Sequence, residues 1–223
     1  MPPARRISGY ADACSNFGGT TVGGQRVAAS TPVEGESAWE DKRRRILDGA
    51  AAVFSSRGYS KGTTREIAAQ LDLSQPSIYH YVGSKADLLR EIALQVDRDM
   101  TTALRDGLAA SADPVAQLRA VITRFTYAVI ANNLTFAVYR SEQRWLEPVV
   151  AEEVQRHESE FVAAVRAVVE RIQARGQLPD APSSVLTFAI LNMVSESHRW
   201  YHQEGSLDPA AVADAYCKLI GLP

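Results

Sequence analysis

Three helix starts crowd into the twenty-five residues from Thr63 to Asp87. Thr63 stands three residues before Glu66, the spacing of a capping box, in which each side chain satisfies a backbone amide of the other residue. Ser74 precedes Gln75-Pro76, and proline is tolerated there because first-turn amides have no intrahelical acceptor. After Gly83, Ser84 stands three residues before Asp87 and opens another helix. Starts this close leave room for one short helix, a tight turn and a second helix of about two turns. The region is constrained to a helix-turn-helix.

Apolar spacing agrees. From Trp39 to Gly58, Ile46, Leu47, Ala50, Val53 and Phe54 recur at helical period. Ile67, Ala68 and Leu71 give the next helix a buried side, and Ile78 and Val82 do the same for the third. Ser84 begins a long fourth helix. Further helices are predicted from Asp113-Pro114 to about Asn132, over about 134–144, from Glu147-Pro148 to Gly176, after Pro182 to about His202, and over about 209–220. No alternating strand pattern runs longer than a few residues. The expected fold is all-α, with a three-helix N-terminal unit over 38–90 and a larger helical body over 91–223. Residues 1–37, rich in Gly, Ser, Thr and Ala and without period, read as a disordered extension.

Charge is unevenly distributed. Residues 38–90 hold nine basic and six acidic side chains, net +3, whereas 91–223 hold twelve and seventeen, net −5. A basic unit ahead of an acidic body suits one domain facing a polyanion and one that does not. Cys14 and Cys217 form neither a disulfide framework nor a zinc spacing. No run approaches the ~20 apolar residues of a membrane span, and no apolar stretch follows Arg5 and Arg6 as in a signal peptide. These features read as a cytoplasmic protein. No phosphate-binding glycine loop, nucleophile elbow or metal-ligand motif is present, and His157 lacks the second histidine of a metalloprotease helix. The expectation is no enzyme, no metal and no cofactor.

A short second helix of this kind can enter the major groove. Its outer face should carry Gln75, Ser77, Tyr79, His80 and Tyr81, with Tyr81 either outward or half-buried on the first helix. Glutamine pairs bidentately with adenine, serine with either base type, and Pro76 offers apolar contact to a thymine methyl. Tyr79 and Lys85 suit phosphate. Arg44, with Arg43 and Arg45, is either a phosphate-facing cluster or a solvated face.

The segments ILDGAAAVFSSRGY, TTREIAAQLDLS and PSIYHYVGSKADLL, in that order, resemble the DNA-binding domain of the TetR family of transcriptional repressors. The resemblance implies phosphate contacts by Tyr79 and Lys85, a capping and backbone-facing role for Thr63, and Gln75, Ser77 and His80 at or near base edges. It also implies a homodimer on palindromic double-stranded operator DNA, joined through the last two long helices of each subunit. Leu186, Ile190, Met193 and Val194, with Val212, Tyr216 and Leu219, suit that interface or an internal core equally.

An effector pocket is implied in the body. Phe125, Tyr127, Phe136, Tyr139, Trp145, Phe161, Phe188 and Trp200 are its candidate walls or plain core, and Asn132, Asn133, Asn192, Ser195 and His198 are polar residues in apolar stretches. The C-terminal SHRWYHQEGSLDPAAVADAYCKLIGL resembles a subgroup regulating fatty-acid or steroid catabolism in response to acyl-CoA. Arg140 and Arg144 would then serve thioester phosphates, or else form a solvated face. A drug-responsive repressor of an efflux pump gene is the alternative.

Overall fold

The computed structural model describes residues 34–202 and 205–222, with side chains from Trp39 onward. The chain divides into two compact units, 1–42 and 43–223. Of the first, Glu34–Lys42 is described and is helical; the expected extension otherwise lies outside the described residues. Helix α1 therefore opens at Glu34, a few residues before the sequence pattern becomes periodic, and ends at Arg57.

Three helices follow from the capped starts: α2 (Thr64–Gln70), α3 (Gln75–Tyr81) and α4 (Lys85–Ala109). The turn between α2 and α3 is sharp because Asp72 takes a left-handed conformation, φ 54°. The Leu73 amide then reaches back to the Ala68 carbonyl at 2.9 Å, closing the end of α2. Aspartate is among the few non-glycine residues that visit this conformation readily.

The body is α5 (Pro114–Ala131), α6 (Asn133–Glu142), a 3-10 turn at Gln143–Trp145, α7 (Pro148–Gln173), α8 (Ser183–Ser195), a single turn α9 (Ser197–Trp200) and α10 (Pro209–Leu219). The protein is all-α, a helix-turn-helix arrangement followed by a larger helical domain. The expected helix to His202 breaks at Glu196, the residue between α8 and α9. Two side-chain hydrogen bonds lie at the break. His198 Nδ1 donates to the Ser195 carbonyl, and the buried Ser197 hydroxyl meets the Tyr216 hydroxyl at 2.7 Å.

Two apolar cores result, and α4 belongs to both. Its first turns give Leu88, Leu89 and Ile92 to the core made with Ile46, Phe54, Ile67 and Ile78. Its next residues, Ala93, Val96 and Ala103, enter the body core with Leu118, Phe125, Val165 and Ile190. Val138 of α6 sits in the helix-turn-helix core, so the two cores also meet through α6. Among the described residues no helix is long and apolar enough to cross a membrane.

Helices α4 and α5 pack closely at Gly107. A Cβ there would lie 2.6 Å from Val121 Cγ2 and 2.8 Å from Val121 Cα. Backbone cannot yield as a flexible side-chain tip does, so Gly107→Ala must push the helices apart. Overpacking of this sort costs about 1–3 kcal/mol. Urea denaturation at fixed protein concentration should show that loss; an unchanged midpoint would mean the helices are less tightly apposed.

Candidate nucleic-acid interface and interior cavity

Helix α3 turns Ile78 and Val82 inward, where both are buried. Gln75, Pro76, Tyr79 and His80 are consequently exposed, and Ser77 is half-buried. Ser74 caps the helix by accepting the Ser77 amide at 3.2 Å, and the two serine hydroxyls are 2.7 Å apart. Tyr81 is half-buried against the helix-turn-helix core, with its ring edge-on to His80 at 5.3 Å.

Thr63 and Glu66 form the reciprocal cap. The Glu66 amide donates to Thr63 Oγ1 at 3.2 Å, and the Thr63 amide donates to Glu66 Oε2 at 2.9 Å. Its bond from the Thr63 hydroxyl, foremost, holds the Glu66 carboxyl below the usual range. Lys85 lies across this surface, its Nζ 4.4 Å from the centre of the Tyr59 ring and 3.3 Å from the Ser60 carbonyl. An ammonium on an aromatic face is attracted by the ring, which restricts its rotamer. Arg44 is exposed on α1, and Arg43 pairs with Glu91 at 2.6 Å.

The predicted aromatic walls separate into two sets. Phe125, Phe136, Tyr139 and Phe161 come together in the body core, with successive ring centres 5.3–6.3 Å apart. Burial, foremost, and a hydrogen bond to Glu158 push the Tyr139 phenol well above its ordinary range. Trp145, Phe188 and Trp200 lie elsewhere. Trp145 packs on Tyr59, ring centres 5.8 Å apart, linking the end of α6 to the turn that holds Lys85. Phe188 and Asn192 are exposed on α8, and Trp200 is exposed beside Tyr201. Arg140 and Arg144 are also exposed, Arg144 standing over the Trp145 ring.

Beside Phe125 and Phe136 lies a small cavity of about 10 Å³, lined also by Val96, Asp99, Met100 and Asn132. Asp99 accepts from Gln95 Nε2 at 2.9 Å and Asn132 Nδ2 at 3.0 Å. Burial, foremost, raises its carboxyl above the ordinary value. On the outer surface a groove of about 620 Å³ runs between α7 and α8, lined by Val162, Ala163, Ala167 and Phe188 with Arg166 and Glu170. Helix α10 carries the apolar residues that suited either a partner interface or the internal core. It buries Val212 and Tyr216 inside the protomer and exposes Leu219, because its apolar stripe packs into the body core.

Sequence reasoning passed over Thr64 and Tyr59. Thr64 is buried, and its Oγ1 lies 3.0 Å from Gln75 Nε2 and 3.1 Å from the Tyr79 hydroxyl. Its spacing of three and four from Ile67 and Ala68 placed it on the buried side, a signal available from the sequence. Tyr59 follows the glycine that ends α1 and carried no periodic signal.

A short, outward-facing second helix on a helix-turn-helix core, joined to a larger helical body, defines the class of helix-turn-helix DNA-binding regulators. The comparisons with known proteins narrow this. Residues 46–92 match the family model described as bacterial regulatory proteins, tetR family, and 111–221 match the tetracyclin repressor-like C-terminal domain. The chain belongs to the TetR family of transcriptional regulators, ligand-responsive DNA-binding proteins that act as dimers, and is not an enzyme. It is 28% identical over 194 residues to the transcriptional repressor KstR2 of Rhodococcus jostii, covering 85% of this chain and 94% of that one. Its fold matches ketosteroid regulator KstR2 of Mycobacterium tuberculosis with a TM-score of 0.74 at 22% identity, covering 87% of this chain and 96% of that one. It matches AibR, solved with isovaleryl coenzyme A and operator DNA, with a TM-score of 0.69 at 22% identity, covering 82% and 100%.

Loss of the α2 cap should be measurable. Thr63→Ala removes both side-chain bonds of the threonine and should cost about 0.5–2 kcal/mol. Because the Glu66 pKa is depressed in the folded state, its contribution is present above the unfolded value and fades as pH falls through the folded one. The difference between wild type and Thr63→Ala in thermal melting should therefore shrink in acid. A pH-independent difference would assign the loss to the bond from the Glu66 amide alone and not to the carboxylate.

Proposed function

We propose that the protein is a ligand-responsive repressor that grips a palindromic operator as a homodimer through residues 74–85 and lets go when a hydrophobic effector enters the body. In this reading 38–90 is the DNA-binding domain, 91–223 binds effector and partner, and the site of action is the cytoplasm. The observation that carries it is the outward row Gln75, Pro76, Tyr79 and His80 on α3, with Ser77 on the same helix, Thr63 capping α2 and Lys85 opening α4. Gln75 and His80 suit base edges, whereas Tyr79 and Lys85 suit phosphate. The groove flanked by Phe188 is the natural dimer contact. An exposed apolar strip of this kind, with Arg166 and Glu170 at its rim, is what a second copy of α7 and α8 can cover.

Effector control follows from the small cavity. At about 10 Å³ it holds roughly one water, so an acyl chain must part α4, α5 and α6 to enter. A ligand shifts an equilibrium only by preferring one arrangement, and this ligand would prefer the one in which α4 has moved. Since α4 and the Trp145–Tyr59 contact both reach the helix-turn-helix, the displacement would change the spacing of the two recognition helices. We assign the effector to the acyl-CoA thioesters on the C-terminal resemblance and on the isovaleryl coenzyme A bound by AibR. Each buried methylene contributes about 0.8 kcal/mol, so a few suffice for such a shift. Asp99 among the aromatic rings favours a second reading, in which a planar cationic drug is bound and an efflux gene controlled.

Two measurements test these readings. In a salt titration, Lys85→Ala should weaken all duplexes and lower the salt slope by about 1, and Gln75→Ala should lose roughly 1–3 kcal/mol of discrimination at one base pair. Wild-type behaviour of both variants would remove residues 74–85 from the interface. Calorimetry across an acyl-CoA series, the free acids and CoA alone, paired with DNA release, should give affinity that rises with chain length and requires CoA. Binding of planar cations in their place would establish the efflux reading.

A further inference from the structure

We infer that Thr64, which need touch no nucleotide, is the positioning residue that makes Gln75 read adenine and couples that reading to the phosphate contact of Tyr79. The inference rests on the reading that Gln75 faces a base. Its basis is the buried Thr64 hydroxyl, shared by the two exposed side chains at 3.0 and 3.1 Å. A hydroxyl has one proton to give and two lone pairs. A phosphate oxygen only accepts, so on DNA Tyr79 must point its own proton outward. Thr64 then gives its proton to the Tyr79 oxygen and can only accept from Gln75.

That fixes the glutamine amide. Nε2 must face Thr64, leaving one Nε2 hydrogen and Oε1 for the groove. Adenine presents a complementary acceptor, N7, and donor, N6; guanine presents two acceptors, N7 and O6. With the amide free to turn over, the preference for adenine weakens. Thr64→Val keeps the branched shape and removes the hydroxyl. Tyr79→Phe removes the acceptor of the Thr64 proton, which frees that proton for Gln75 Oε1 and lets the amide flip. Both changes should relax the same base pair.

The test uses the full-length protein and an operator selected from random duplexes, with each position then changed singly. Gln75→Ala identifies the pair it reads. At that pair Thr64→Val and Tyr79→Phe should each reduce the preference for A·T over G·C by roughly fivefold or more, Thr64→Ser should restore it, and Gln75→Ala/Thr64→Val should do no worse than Gln75→Ala alone. Melting of each variant separates unfolding from lost reading. Full preference in Thr64→Val, or in Tyr79→Phe should Thr64→Val fail to fold, overturns the positioning role while Gln75 remains a reader. If Gln75→Ala loses discrimination nowhere, the base-reading assignment itself fails and this inference with it.

Discussion

Helix α4 has one side committed to two cores, and the rest of the structure depends on that sharing. Leu88, Leu89 and Ile92 hold the recognition unit, and one residue later Ala93 and Val96 hold the body. A continuous helix has no soft joint between them. A displacement of α4 in the body must be carried toward α3 or absorbed by repacking Ile92 against Ile46 and Ile78. Val138 and the Trp145–Tyr59 contact add a second link from α6, which ends beside the turn holding Lys85.

The exposed face of α3 is more ordered than its exposure suggests. Gln75 and Tyr79 share the Thr64 hydroxyl, Ser77 is tied to Ser74, and Lys85 rests on Tyr59. In the proposed complex these side chains lose little rotamer freedom on meeting DNA, which lowers the entropic cost of association. The body shows the opposite economy. Its cavity is small, about 10 Å³, and its polar groups, Asp99 with Gln95 and Asn132, satisfy one another, so in the proposed switch effector entry would require work that a ligand with large apolar area offsets.

Local signals made the helix-turn-helix legible. Capping residues at Thr63, Ser74 and Ser84 act within three residues of themselves, so spacing alone predicted α2, α3 and α4. The break at Glu196 was not legible, because Ser197 meets Tyr216 nineteen residues away. Among candidate pocket residues, Phe125, Phe136, Tyr139 and Phe161 converge, but helical period cannot say which neighbouring helix covers an aromatic. Trp145 thus faces Tyr59 and Phe188 faces outward, though both share the spacing of core residues. Thr64 was hidden by its neighbour: Thr63 carries the recognisable cap, and the hydroxyl that organises α3 belongs to the next residue.

In the proposed complex two copies of α3 read one operator in register. Hydroxyl-radical footprinting of the full-length protein on its selected operator tests it directly. Two protected windows are expected on one face of the duplex, their centres one helical turn apart, about 34–36 Å. A single protected window, or two on opposite faces, would contradict it.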